Sequence, residues 1–432
     1  MYYFIFLRLE IWRYIKMRKT AEELGKERVK RVKDAIELRV PDRVPLMPCF
    51  EFFAAYYAGI TCQEAMYDYE KAYQAYKKTI IDFEPDMYPG PGLFRSGPVL
   101  ELLDVKQLKW PGHGIQPSHV YQFVEGEYML PDEYDEFIDN PSDWMLMRYM
   151  PRIYGSLKPF SKLPGIFDQF FYYGAPSAGL STMGTTEIQE AFQTLLKAAR
   201  ESLKWVTHLQ SFNQEMKELG FNSFFFVATY APFDLIGDNF RGTRQMMLDM
   251  YRRSDKILEA LEKATRVMIR MATRRAAAGG IPMVFIPLHK GAEGFMSLEQ
   301  YKIFYWPFLK QLMMGIIDAG LIPYPYTEGG YTSRLEIISD VPKGKVLYHF
   351  EKVDIKKAKE VLGDIACISG NVPNSLLCIG SPQEVKDYCK MLIDIAGKGG
   401  GLIVDAGATI DEAKPENIKA MMDFTKEYGI YR

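Results

Sequence analysis

Short β-branched or aromatic runs ending in Gly, Pro or an acidic residue alternate along most of this chain with longer stretches of helical periodicity, and this rhythm constrains the fold most. RVPLMP at 43–48, the run at 222–232, IPMVFIP at 281–287 and LIPYPYTEG at 321–329 read as strands. So do KVLYHFE at 345–351, DIACISG at 364–370 and GLIVDAG at 401–407. Between them lie amphipathic helices. One closes at Gly279 and Gly280, where a left-handed cap is expected, and another opens at Ser381 over Pro382. A strand that is followed each time by a helix must pair in parallel with the next strand, and about eight such units predict an α/β fold closed into a single (β/α)8 TIM barrel.

The 432 residues suffice for several domains by size alone, yet no low-complexity linker or internal repeat divides them. Residues 90–185 break the rhythm with Pro, Gly and aromatics, and read as an insertion, or lid, over the barrel mouth. Residues 39–432 form the barrel and 1–38 a helical extension. The opening MYYFIFLRLEIWRYIKM is interrupted by Arg8, Glu10 and Arg13, too early for a membrane span, and Met17 offers an alternative start to a solvated, charged amphipathic helix.

Fifty-three basic residues against fifty-five acidic ones create no field that would gather nucleic acid or an anionic membrane, so a small-molecule substrate is expected. The five cysteines form no CxxC pair, which fits a reducing, cytoplasmic compartment. The KGGG at 398–401 lacks the arrangement of a phosphate loop and reads as a turn.

Four blocks, in order, resemble the uroporphyrinogen decarboxylase superfamily. FDLIGDNFRGTRQMMLDMYRRSDKILEALEKAT is similar to its third-strand segment and following helix, and MSLEQYKIFYWPFLKQLM to its "LSPxxFxxFxxPY" helix. SGNVPNSLLCIGSPQEVKDYC is similar to "GNxxPxxL…GTPEEV", and GLIVDAGATIDEAKPENIKAMM to the final strand and helix. The resemblance implies a TIM barrel. It also implies two possible chemistries, tetrapyrrole decarboxylation and methyl transfer to a corrinoid.

The decarboxylases carry an Arg-rich element after the first strand, where this chain reads PCFEFFAAYYAGIT; their tyrosine falls on Asp238 and their last-strand histidine on Ala408. The thiol-activating methyltransferases place zinc ligands where Tyr326, Glu328 and Ala408 stand here. The ether-cleaving branch uses Glu-x14-Glu-x20-His, whose second half matches Glu328 and His349, while Met313 stands at the leading Glu. The resemblance therefore points to the corrinoid-dependent methyltransferase branch, with zinc as its metal and the corrinoid carried by a partner protein.

Alternation gives Glu328 the parity of Tyr324 and Tyr326, His349 that of Glu351, and Cys367 that of Ser369. Adjacent parallel strands could then bring Glu328, His349 and Cys367 together as metal ligands, with zinc a Lewis acid on an ether oxygen. Taken alone, Glu328 could instead accept loop N–H groups and His349 be a satisfied core histidine. His289 in PLHKG is a second candidate ligand or general acid, and Asp238 joins Glu328 and His289 as the catalytic set. Tyr326, Asp86 and Asp405 are read as contacting the cofactor or ligand, though the two aspartates could equally cap helices. His113 and His119 read as surface residues. Phe167, Phe170, Phe171, Tyr172 and Tyr173 could line a pocket or form core under a loop. The chemistry expected is methyl transfer from a methoxylated or otherwise methylated small molecule to reduced cobalt. A tetrapyrrole decarboxylase and a non-catalytic binding barrel are the alternatives, and the oligomeric state is left open.

Overall fold

The computed structural model describes residues 19–170, 180–224, 227–279 and 283–431. Its strands in chain order are β1 (Met87–Tyr88), β2 (Leu108–Pro111), β3 (Gly114–Ile115), β4 (Gln122–Phe123), β5 (Asn222–Ser223), β6 (Val227–Ala228) and β7 (Met283–Leu288). Then follow β8 (Ile322–Gly330), β9 (Leu347–Lys352), β10 (Cys367–Gly370) and β11 (Leu402–Ile403). The strands β6 to β11 form a six-stranded parallel sheet in sequence order, and β1 pairs in parallel with β5. The strand expected at 43–48 is held by single parallel bridges, Leu46 to Val404 and Phe50 to Ile410, and the Asp86 N–H donates to the Leu46 carbonyl. Gly280, one of the two expected cap residues, lies outside the described residues.

Apolar residues on both faces of each strand need two separate cores. The larger core lies under the helices. A smaller one draws Met47 and Cys49 from the first segment, Met87, Phe224, Met283, Tyr324 and Tyr326, Leu347, Cys367 and Ile403. Val32, Ala35 and Ile36 of the helix Ala21–Ile36 close this inner core at the amino ends of the strands. The helix read as solvated thus buries one face. Thr20 and Glu23 start it with a reciprocal capping box.

Residues 97–162 fold into short helices and the three-stranded sheet β3-β2-β4. Their Trp110, Tyr134, Phe137, Trp144 and Tyr149 belong to the same core as the outer face of the sheet. Arg241 ties this segment down: its buried guanidinium pairs with Asp249 at 2.7 Å and with Glu127 at 2.6 Å. Phe167 and Phe170 are exposed, and Phe171, Tyr172 and Tyr173 lie outside the described residues. Among the described residues no helix is long and apolar enough to cross a membrane.

Candidate functional site

A cavity of about 550 Å³ opens at the carboxyl ends of the strands, where barrel-like α/β folds gather residues for chemistry. Tyr326 and Cys49 lie in its lining, together with Glu51, Arg95, Tyr121, Phe123, Tyr230, Asp238, Phe285, His289 and Glu328. Leu108, Tyr121 and Phe123 come from the segment read as an insertion.

One wall is ionic. His289, just past β7, directs Nδ1 to Asp238 Oδ2 at 2.6 Å and Nε2 to Glu328 Oε1 at 3.5 Å. Asp238 also meets Lys290 Nζ at 2.8 Å and lies in a π-helical turn, Leu235–Arg241, a geometry recurrent at functional sites. Behind it, Asp234 accepts the backbone N–H groups of His289 and Lys290 at 2.9 Å each and the Tyr305 hydroxyl at 2.6 Å. Burial by itself would lower the His289 pKa. The carboxylates of Asp238 and Glu328, with the field of Asp234, outweigh burial and raise it to about 11. His289 is therefore a fixed imidazolium at neutral pH. Burial pushes Asp238 up, but bonding to His289 and Lys290 wins and holds it below its ordinary value.

Opposite stands a second cluster. Glu51 accepts from the Tyr121 hydroxyl at 2.7 Å and lies 3.4 Å from Arg95, whose guanidinium stacks 3.8 Å over the Tyr121 ring. Arg95 holds φ 61° and ψ 159°, a region almost reserved for glycine, and strain of this kind clusters at binding sites. Asp411, which accepts from the Phe52 N–H, is raised to about 7 by burial and by the like charge of Glu51.

The sequence-predicted residues divide into two groups. Glu328, His289 and Asp238 converge on the ionic wall, with Tyr326 in the same cavity lining. Glu328 and His349, expected to share a metal, do not meet, because the β8–β9 register sets His349 beside Tyr326 rather than Glu328. A bulge then displaces β8: Glu328 and Gly329 fall between the paired residues Thr327 and Gly330, and the Gly329 N–H donates to Glu351 at 2.6 Å. Gly329 takes φ 84°, and a Cβ there would stand 2.9 Å from that of Ala292. Cys367 pairs with Leu347, which places it level with Tyr324, four residues before Glu328. At about 3.3 Å per residue that is about 13 Å along the strand, too deep to share a ligand. Among the described residues no three His, Cys, Asp or Glu side chains are grouped to hold a metal ion. The expected zinc set of Glu328, His349 and Cys367 does not fit.

His349 is a core histidine. It stacks on Tyr326 at 3.7 Å, hydrogen-bonds through Nε2 to the Ala406 carbonyl at 2.8 Å, and burial pushes it down to about 3. Asp405 is equally buried. Its Oδ1 accepts the N–H groups of Cys49 and Ala406, and burial holds its carboxyl well above the usual range. Asp86 lies outside the cavity altogether, as an ion-pair anchor for Arg31 at 2.5 Å and Arg43 at 2.8 Å. An unfolded histidine takes up a proton near 6.5 and His349 does not until about 3, so stability should fall as pH drops across that window. Urea unfolding from pH 7 to 4 should show the loss, and His349→Gln should flatten it; equal slopes would refute the assignment.

Sequence reading missed Asp234, Lys290, Glu51, Arg95, Tyr121 and Asp411. Asp234 and Asp238 carried a signal, two acids four residues apart just after a Pro-ended strand. Arg95 and Tyr121 carried none, since only tertiary packing brings their segments to the strand ends.

The model of the family described as uroporphyrinogen decarboxylase (URO-D) matches residues 188–428, more than half of the chain, and the chain belongs to that family. It is 23% identical over 204 residues to the uroporphyrinogen decarboxylase of Chlorobaculum parvum, covering 46% of this chain and 56% of that one. It is 24% identical over 204 residues to that of Chlorobaculum tepidum, with the same coverage. The chain thus spans about half the length of these curated relatives. A methyltransferase from Methanosarcina mazei shares the fold, with a TM-score of 0.60, 15% identity, and coverage of 95% of this chain and 99% of that one.

Proposed function

We propose that the strands close into a (β/α)8 barrel and that the cavity at its mouth binds a methylated small molecule, whose methyl group passes to the reduced cobalt of a corrinoid carried by a partner protein. The bridge from Leu46 to Val404 and the inner core fed by every major strand support closure. The observation that carries the chemistry is the Asp238–His289–Glu328 wall of a cavity rich in aromatic and aliphatic side chains. A reduced corrinoid delivered by that partner would supply the nucleophilic electron pair that takes up the methyl group, the bonding pair staying on the leaving heteroatom. The protein's part is to orient the donor and steady the leaving atom. The His289 Nε2–H lies 3.5 Å from Glu328, long for a hydrogen bond, and so remains available to a leaving oxygen.

Tetrapyrrole decarboxylation is the weaker reading. Holding a polycarboxylate requires several bidentate cations, and Arg95, the one arginine among the described residues of the cavity lining, already faces Glu51. The protein should be mixed with free cob(I)alamin and a panel of ethers, thioethers and methylated amines under strict exclusion of oxygen. Methylcobalamin absorption should grow with at least one donor and vanish for Glu328→Ala. A panel giving no methylcobalt, with cognate carrier proteins also tried, would refute the reading.

A further inference from the structure

We infer that the methyl donor bound in this cavity is a small cation, a quaternary methylammonium compound; this rests on reading the cavity as the donor site. Two independent features of the lining agree. First, Glu51, Asp238 and Glu328 line it against Arg95 and His289, and behind this wall Lys290 pairs with Asp238 while Asp234 lies against the backbone of His289 and Lys290, four carboxylates to three cations. Each cation is already engaged, Arg95 with Glu51 at 3.4 Å and His289 with Asp238 at 2.6 Å. Glu328 is the open acid: its side chain is 51% exposed and its contact to His289 is long. An anionic ligand would meet an acidic surplus, whereas a cation would complete the charge balance.

Second, five aromatic rings, Tyr121, Phe123, Tyr230, Phe285 and Tyr326, stand in the rest of the lining. Arg95 covers one face of Tyr121, and His349 one face of Tyr326. Phe123, Tyr230 and Phe285 are the other three rings, and Leu93, Leu108 and Pro287 line the cavity with them. Aromatic walls with a carboxylate on one side are the surroundings in which a methylated ammonium ion is held, because its charge is spread over the methyl hydrogens and cannot be met by a single hydrogen bond. Arg95 on Tyr121 shows the same attraction within the protein itself.

The chemistry closes without a further reagent. The N–CH3 bond breaks, its electron pair stays on nitrogen, and a neutral tertiary amine departs while the methyl carbon takes the electron pair of cobalt. A quaternary nitrogen is already an activated leaving group, so bond cleavage needs neither a Lewis acid nor a proton.

Binding can be read on the full chain without any corrinoid. Calorimetric titration with choline and with its neutral carbon isostere 3,3-dimethylbutan-1-ol should give at least about tenfold tighter binding of the cation. Glu328→Gln should erase most of that preference while leaving the isostere's affinity unchanged. Equal or tighter binding of the isostere, no binding of choline or tetramethylammonium at millimolar concentration, or a preference untouched by Glu328→Gln would each overturn the inference. Because no methyl acceptor is present, a cation that binds yet never methylates cobalt would count against the transfer reading alone. Transfer from ethers with no cation preference would count against this inference alone.

Discussion

Asp238→Asn is expected to reduce the proposed methyl transfer from an ether donor, whose leaving oxygen the His289 imidazolium would steady, by about a hundredfold or more at pH 8, the usual scale for losing the partner that fixes a working histidine. Asp238 bonds both His289 and Lys290, and its hydrogen bond is the largest influence holding the imidazolium protonated against burial. Without it the His289 pKa should fall, although Glu328 and Asp234 still favour the imidazolium. The sign follows. The wild-type imidazolium persists until pH rises toward about 11, whereas the variant should lose activity at lower pH than the wild type, with partial recovery in acid. The same raised pKa makes the pair stabilising below 6.5 and costs that stability as pH climbs toward 11, so thermal unfolding of the wild type should weaken over that range more than that of the variant. A variant with normal activity and an unchanged pH profile would remove His289 from the mechanism.

The largest effect on stability is expected at Asp86→Ala. This carboxylate is fully buried and receives Arg31 at 2.5 Å, Arg43 at 2.8 Å and the Leu46 N–H at 2.8 Å, joining the amino-terminal helix to the first strand segment. Arg31 would keep its paired bonds to Asp42 at 2.6 and 2.7 Å, but two guanidinium groups would be left facing each other in a largely buried site. Removing one partner of a buried ion pair costs about 3–5 kcal/mol. Denaturant titration should show a loss of this size. A loss under about 1 kcal/mol would mean that the helix Ala21–Ile36 contributes little to closing the inner core.

These two aspartates mark what the sequence could and could not reveal. Asp238 follows Asp234 by four residues after a Pro-ended strand, a signal that Asp86, set between Pro85 and strand β1, lacks. Nothing near Asp86 in the sequence says that it anchors the amino-terminal helix instead of facing a cavity. Strand order, by contrast, was legible, because a parallel sheet with helices on its outer face imposes apolar runs that no other arrangement explains. The strand at 43–48 was legible by pattern but pairs only through single bridges. Alternation placed Tyr326 and Glu328 in one lining, as found, because parity survives up to the bulge. It could not give the register between strands, and register sets His349 a layer below Glu328 and Cys367 deeper still. The Glu51–Arg95–Tyr121 cluster was illegible for another reason: its members come from three segments separated by loops whose course depends on packing.

Product analysis of a single anaerobic mixture discriminates most directly between the two chemistries of the family. It would contain the protein, a corrinoid acceptor, a 13C-methyl-labelled quaternary ammonium or methoxy donor, and uroporphyrinogen. The expected result is label appearing on cobalt, and uroporphyrinogen recovered intact. Coproporphyrinogen accumulating while cobalt stays unlabelled would contradict methyl transfer and return the cavity to decarboxylation.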